Sequence, residues 1–302
     1  MNKYVVIAGT EKSATTSLYK YLLDSDVFSE SIKKETDYFR SSIDLDEREY
    51  LKVFRDRGRL SFLEASPGYL SESRIASKNI YDFYQTNNIN LKLVFCLRDP
   101  LSRLKSSFLF HKSRLYIGED ISFEKYFDAC MVFENTGKKL YDLSEWCLSV
   151  PSHGLYYKHL SDFKYFFDEK LIFIETMESV ASNPNQVMER LTKFCEIDGD
   201  FYNDYDFKQS NVTRGFANPC LQKVALQFNS IFEGFWYRHP NIKNKLMKIY
   251  FGINGADKEK VILSDETRSK ILEYYKDDLF SLKESGWIES NVIDLWMEGN
   301  GK

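Results

Sequence analysis

The chain reads as a three-layer α/β protein in which a central, mostly parallel sheet is flanked by helices. Three apolar runs at 4–8, 91–97 and 170–174 have the length and the β-branched or aromatic content of buried strands. Helical patterns follow each of them. The first covers 16–23, with Leu18, Tyr21 and Leu22 on one side; the second covers 102–110, after the breaker Arg98-Asp99-Pro100; the third follows Asn183-Pro184, with Val187, Leu191 and Phe194 at i, i+4, i+7. Strands that alternate with helices pair in parallel, and the helices cover both faces of the sheet. Ligands of such sheets bind beyond the carboxyl ends of the strands, where 9–17 and 98–106 fall.

The remaining elements are fewer. A helix over 264–282 is predicted from a Ser264 cap, Asp265 and Glu266 in its first turn and a Gly286 stop, with Ile271, Leu272, Tyr275, Leu279 and Leu282 facing the core. Residues 119–134, 199–206 and 252–260 read as loops, and none has the composition of an interdomain linker. With 302 residues, 43% hydrophobic and 16% aromatic, the chain is expected to form one domain over 1–302, its C-terminal third mostly helical. A net charge of −4 gives no whole-chain reason to expect nucleic acid or an acidic membrane as a partner. Five scattered cysteines without C-x-x-C spacing suggest neither a zinc site nor a disulfide framework, so no metal is expected and a reducing, cytoplasmic setting is. No signal peptide or membrane-spanning run is visible. Nothing in the sequence sets the oligomeric state.

The segment Val5-Val6-Ile7-Ala8-Gly9-Thr10-Glu11-Lys12-Ser13-Ala14-Thr15-Thr16-Ser17-Leu18 is built to hold a phosphate. A strand breaks into a small-residue loop and then a helix, so backbone N–H groups and the helix dipole converge on one point, joined by the Lys12 ammonium and the hydroxyls of Thr15, Thr16 and Ser17. The NTPase signature G-x-x-x-x-G-K-[ST] is absent, because it needs its lysine after a second glycine, and here the lysine sits three residues after Gly9, with Ala14 and two threonines following. A second anion-binding pattern is Leu97-Arg98-Asp99-Pro100-Leu101-Ser102-Arg103-Leu104-Lys105-Ser106: an arginine fork at a strand end and a hydroxyl two turns into the next helix.

Together these segments resemble the two nucleotide-binding elements of the sulfotransferases that use 3′-phosphoadenosine-5′-phosphosulfate (PAPS), including bacterial and heparan-sulfate-type carbohydrate sulfotransferases. The resemblance implies a P-loop-like fold, a 5′-phosphosulfate site at Lys12, Ser13, Ala14, Thr15, Thr16 and Ser17, and a 3′-phosphate site at Arg98 and Ser106. Arg214, in Asn211-Val212-Thr213-Arg214-Gly215, stands where relatives close a basic loop over the 3′-phosphate. Lys33-Lys34-Glu35-Thr36-Asp37-Tyr38-Phe39 is similar to the family's K-E-x-x-[FY]-F element, which implies Glu35 as general base and Lys34, Asp37 and Arg40 at the acceptor site. His111 corresponds to a histidine that several relatives hold near the transferring group. Leu63-Glu64-Ala65-Ser66-Pro67-Gly68-Tyr69 resembles the E-[KA]-[ST]-P-x-Y element of the acceptor cleft; Ala65 replaces a lysine common in glycosaminoglycan-directed members, which argues against a heparan-like acceptor.

The implied reaction moves the sulfuryl group of PAPS to an acceptor hydroxyl, on a carbohydrate or glycan, without a metal. A P-loop nucleotide or small-molecule kinase is the competing reading, though it should carry a correctly spaced G-K-[ST]. A binding module that has lost catalysis should lack Lys12 or Glu35, and both are present.

Overall fold

The computed structural model describes residues 1–41, 43–208, 215–257 and 260–299. From the N-terminus run β1 (Lys3–Gly9), α1 (Thr15–Asp24), β2 (Ser29–Glu30), α2 (Glu47–Leu51), β3 (Ser61–Ala65), α3 (Gly68–Ser71), α4 (Ser73–Asn87), β4 (Asn90–Leu97) and α5 (Pro100–Ser113). Next come α6 (Phe123–Thr136), α7 (Glu145–Leu148), α8 (Tyr156–Phe166), β5 (Ile172–Thr176), α9 (Met177–Ser182) and α10 (Pro184–Cys195). The last part holds β6 (Gly215–Phe216), α11 (Pro219–Ile231), α12 (Glu233–Arg238), α13 (Pro240–Asn254), β7 (Gly255–Ala256), α14 (Asp265–Glu284) and α15 (Ser290–Met297). The chain divides into two compact units, one of Met1–Arg103, Ser152–Asn211 and Arg268–Lys302, the other of Leu104–Pro151 and Val212–Thr267.

The first unit is the predicted α/β layer structure. Its five strands lie in the order β2-β3-β1-β4-β5, and every pairing is parallel. β1 is central, with Val5 opposite Leu63 on one side and Lys92 on the other. Side-chain alternation divides the core. Val5 and Ile7 pack with Leu18 and Leu22 of α1 and Leu191 and Cys195 of α10, whereas Tyr4 on the opposite face stacks on Phe62 (ring centroids 5.0 Å apart) and meets Tyr50 and Phe83. A Cβ at Gly9 would lie 2.5 Å from Leu70 Cβ, so only glycine lets β1 end against α3. Because all five strands point the same way, the chain emerges after β1, β2, β3 and β4 at one edge of the sheet.

The helix predicted over 264–282 follows its sequence signals. Ser264 Oγ accepts from Thr267 N, 3.2 Å away, ahead of α14, and Ile271, Tyr275, Leu279 and Leu282 are buried as expected. Asp278 of α14 in turn accepts the N–H groups of Tyr157 and Lys158 at the start of α8. Two expectations need correction. Residues 119–134 are mostly helix rather than loop: Ser122 caps α6 by accepting from Lys125 N, and Phe123, Tyr126, Phe127 and Cys130 form a buried i, i+3, i+4, i+7 stripe. The third strand begins at Ile172, because Glu169–Leu171 makes a 3-10 turn instead of its first residues.

The second unit is helical apart from β6 and β7, which pair antiparallel. Its first segment packs Phe108 on Phe123 and Tyr126, and Tyr126 OH donates to Cys147 O at 2.6 Å.

Candidate active site

The Lys12 loop joins β1 to α1 through two residues in the left-handed region, Lys12 at φ 66° and Ala14 at φ 60°. For residues with a Cβ this conformation costs on the order of 1 kcal/mol each, and it turns successive N–H groups toward a common concavity. Ala14 occupies the N-cap position of α1, and alanine has no side chain with which to satisfy the first-turn N–H groups. The loop is held from the neighbouring strands: Thr10 N donates to Cys96 O of β4 at 2.8 Å, and Ser66 N after β3 donates to Ile7 O at 3.1 Å. Below it, Glu11 Oε1 lies 3.3 Å from His153 Nδ1 and 3.8 Å from Nη1 of the fully buried Arg103.

Arg98 and Lys12 are brought together by the parallel neighbours β4 and β1. Arg98 Nη1 donates to Lys12 O at 3.1 Å, and Tyr156 OH fixes Arg98 O at 2.7 Å. The capping of α5 falls to Asp99 instead, which accepts from Leu101 N and Ser102 N. Burial pushes the Arg98 pKa down, while Glu178 and Asp99 nearby favour its charged form; burial also raises both of those carboxyls. Two buried donors here have no hydrogen-bond partner among the described residues: Ser13 Oγ and Arg98 Nε. A buried donor left unmade costs about 1–3 kcal/mol, and an anion oxygen at each point would satisfy it. The residues therefore fit a bound phosphate-type group.

The Glu35 segment follows β2 and folds back over the end of β3. Glu35 N donates to Ala65 O at 3.0 Å and Asp37 N to Ser66 Oγ at 3.1 Å, with Glu35 (φ 64°) and Asp37 (φ 54°) both left-handed. The anchor is Glu64, fully buried at the end of β3. Its carboxylate accepts from Ser66 Oγ at 2.7 Å and Tyr69 OH at 2.6 Å, and also from Thr36 Oγ1 and Tyr50 OH. Burial and this carboxylate hold the Tyr50 and Tyr69 hydroxyls far above their usual pKa. On the resulting platform the Glu35 side chain is 53% exposed and meets Lys34 Nζ at 2.9 Å. Arg40 bridges Asp37 at 3.4 Å and Glu72 at 3.0 Å.

The other expected residues fall as follows. Thr15 and Ser17 are buried in the first turns of α1, and Thr16 beside them is half-buried. Ser106 lies on α5, four residues and hence one turn after Ser102, in the part of that helix that belongs to the second unit. His111, near the end of α5, is 0% exposed and packs its ring 4.4 Å from that of Trp146 within the second unit. Arg214 lies outside the described residues. His159 is a satisfied interior histidine, with Nε2 donating to Ser152 O at 3.0 Å and Nδ1 2.9 Å from Ser73 Oγ. The sequence assigned no role to Glu11, Arg103 or Glu178 and placed Glu64 only within the acceptor-cleft element, although a carboxylate inside the apolar run Ser61-Phe62-Leu63-Glu64-Ala65 is itself a signal.

Among the described residues no helix is long and apolar enough to cross a membrane, and no group of three His, Cys, Asp or Glu is placed to hold a metal ion. A crystal structure of a sulfotransferase from Alicyclobacillus acidocaldarius superposes with a TM-score of 0.64 over 95% of this chain and 99% of that one; at 17% identity this is a likeness of fold. Human carbohydrate sulfotransferase 15 is 30% identical over 127 residues, a match that takes in 38% of this chain and only 22% of the human protein. The family model of the sulfotransferase domain matches residues 2–222, a span that contains the Lys12 loop, the Glu35 segment and the Arg98 turn, and the chain belongs to that family.

Proposed function

We propose that this chain transfers the sulfuryl group of PAPS to an acceptor hydroxyl, on a carbohydrate or glycan, with both units serving one sulfotransferase domain. One observation carries the reading: Arg98 clasps the Lys12 carbonyl while Arg98 Nε and Ser13 Oγ stay buried without partners, so two anion-binding segments meet at one sheet edge. Family membership favours this chemistry over the kinase alternative. The partial match to a carbohydrate sulfotransferase supports the acceptor class. Five free thiols, Cys220 exposed and four others buried, support the reducing, cytoplasmic setting.

Bound PAPS supplies an activated sulfuryl group and a phosphate leaving group. In this assignment Lys12, Ser13 and the first-turn groups of Ala14, Thr15, Thr16 and Ser17 hold the 5′-phosphosulfate, and Arg98 with Ser106 and Arg214 hold the 3′-phosphate. Lys12 stabilises the negative charge that grows on the leaving oxygen, and because its loop is fixed to β4 beforehand little reorganisation is required. Glu35 accepts the acceptor's proton. It is the exposed carboxylate on a clamped backbone, whereas His111 is enclosed by rings, so Glu35 takes the base role and His111 a packing one. Lys34, Asp37 and Arg40 line the approach of the acceptor.

Titration calorimetry tests the assignment. The chain should bind PAPS and 3′,5′-ADP more tightly than ATP or ADP; equal or better affinity for ATP, with no gain from a 3′-phosphate, overturns it.

A further inference from the structure

The second unit carries a helical arm that the reaction does not use. The chain leaves the fold at Asn218 and returns at Asn254, and the two asparagines close the stem: Ala217 N donates to Asn254 O at 2.9 Å, Asn218 N to Asn254 Oδ1 at 2.8 Å, and Asn254 Nδ2 to Asn218 O at 3.1 Å. The short β6–β7 pair continues that closure. Gly215 and Gly255 permit it, since a Cβ at Gly215 would lie 2.5 Å from Asp257 O and one at Gly255 2.3 Å from Phe251 O. Between these points run α11, α12 and α13.

Each of the two long helices exposes an apolar stripe. On α11, Leu221, Val224, Phe228 and Ile231 follow 3-4-3 spacing, and on α13, Ile242, Leu246, Ile249 and Ile253 follow 4-3-4 spacing; all eight are exposed, Ile231 to 77% and Ile253 to 73%. Spacing of three and four puts each set on one stripe of its helix. The less exposed side is mixed: Ala225, Leu226 and Phe251 lie there with Gln222, Tyr250 and Asn254, where Tyr250 OH donates to Gln222 Oε1 and Asn254 Nδ2 donates to Tyr250 OH. An ordinary surface helix turns its apolar stripe to the core, and these two leave theirs in solvent.

Charge selects the occupant. The chain has 45 acidic residues, yet α11 and α13 have none, while Lys223, Lys243, Lys245 and Lys248 lie on them. Helical spacing puts Lys245 and Lys248 on one flank of the α13 stripe and Lys243 on the other. A second copy of the chain docked symmetrically on this face would set lysines against lysines, because α11 and α13 have no carboxylate and the arm's single acid, Glu233 of α12, already acts on Lys243. An anionic lipid surface takes both components, apolar side chains entering the acyl boundary while the lysines reach the headgroups. We propose that the α11–α13 arm docks this protein on anionic membranes as a peripheral contact.

Sedimentation of the full chain with vesicles tests the proposal. The protein should pellet with vesicles of equal parts phosphatidylcholine and phosphatidylglycerol, remain in the supernatant with phosphatidylcholine alone, and be released as salt rises. Lys245→Gln with Lys248→Gln should weaken partitioning on the order of thirty-fold. Ile249→Ser with Ile253→Ser should abolish it, with the circular dichroism spectrum and the affinity for 3′,5′-ADP unchanged in both variants. Absence of pelleting, or equal pelleting with both vesicle types, overturns the proposal. So does a dimer in sedimentation equilibrium that Ile249→Ser with Ile253→Ser dissolves while the vesicles bind nothing, since a second copy then covers the face.

Discussion

Replacement of Arg98 by alanine separates the proposed phosphate-binding role of this side chain from its structural one. Among the described residues the guanidinium makes one hydrogen bond, to Lys12 O at 3.1 Å, and buries Nε without a partner. A 3′-phosphate would take Nε–H and one further N–H, two charge-assisted bonds of about 1.5–3 kcal/mol each. Water entering the truncated site returns part of that, so the net loss should be roughly 2–4 kcal/mol, about 30- to 700-fold in Kd. Stability should change by no more than about 1 kcal/mol, because the lost bond to Lys12 O is offset by removal of a charge that burial disfavours. The assay is calorimetry with 3′,5′-ADP and 5′-AMP on both proteins. The wild type should prefer the 3′-phosphorylated ligand and Arg98→Ala should lose most of that preference, with 5′-AMP affinity nearly unchanged. If the variant keeps the full preference, Arg98 braces the loop only, and the 3′-phosphate assignment is wrong.

Glu35→Gln keeps the backbone clamp to Ala65 and the size of the side chain but cannot take a proton, so turnover with an alkyl alcohol or sugar should fall about 10²–10⁴-fold at nearly constant PAPS affinity. Glu64→Gln, which reaches the Glu35 segment indirectly, through Thr36 and Ser66, should lower kcat less and cost stability in urea; equal turnover losses in the two variants would show that Glu35 acts through position alone. Burial lowers the His159 pKa from 6.5 to about 4. The folded chain then binds fewer protons than the unfolded one between those values, so this stability is fully present above pH 6.5 and is lost as pH falls toward 4, by roughly 3 kcal/mol. Urea unfolding across that range should show a shallower decline for His159→Gln, and parallel curves for the two proteins would refute the buried neutral imidazole.

The architecture was legible in the sequence, and the two segments proposed to bind phosphate stand out there, because both rest on local pattern. A buried parallel strand is a short apolar run, and the turn that follows it shows its chemistry within a dozen residues, as 5–18 and 97–106 do. The same logic failed at 119–134, where acidic and aromatic residues masked the stripe of Phe123, Tyr126, Phe127 and Cys130.

What the tertiary structure decided depends on residues distant in the chain. The Glu35 backbone is set by Glu64 and Ser66, about thirty residues later, after β2 and β3 have paired in parallel. No window of local sequence contains both partners. Likewise the clasp between Arg98 and Lys12 spans 86 residues and exists because β4 lies beside β1 in the sheet. The arm shows the division most clearly. Its lysines and apolar spacing stand in the sequence, but a whole-chain charge of −4 conceals them, and a heptad-like stripe reads equally as core or as surface. Only the closure of the stem at Asn218 and Asn254, which fixes which sides of α11 and α13 turn inward, makes the apolar sides face outward.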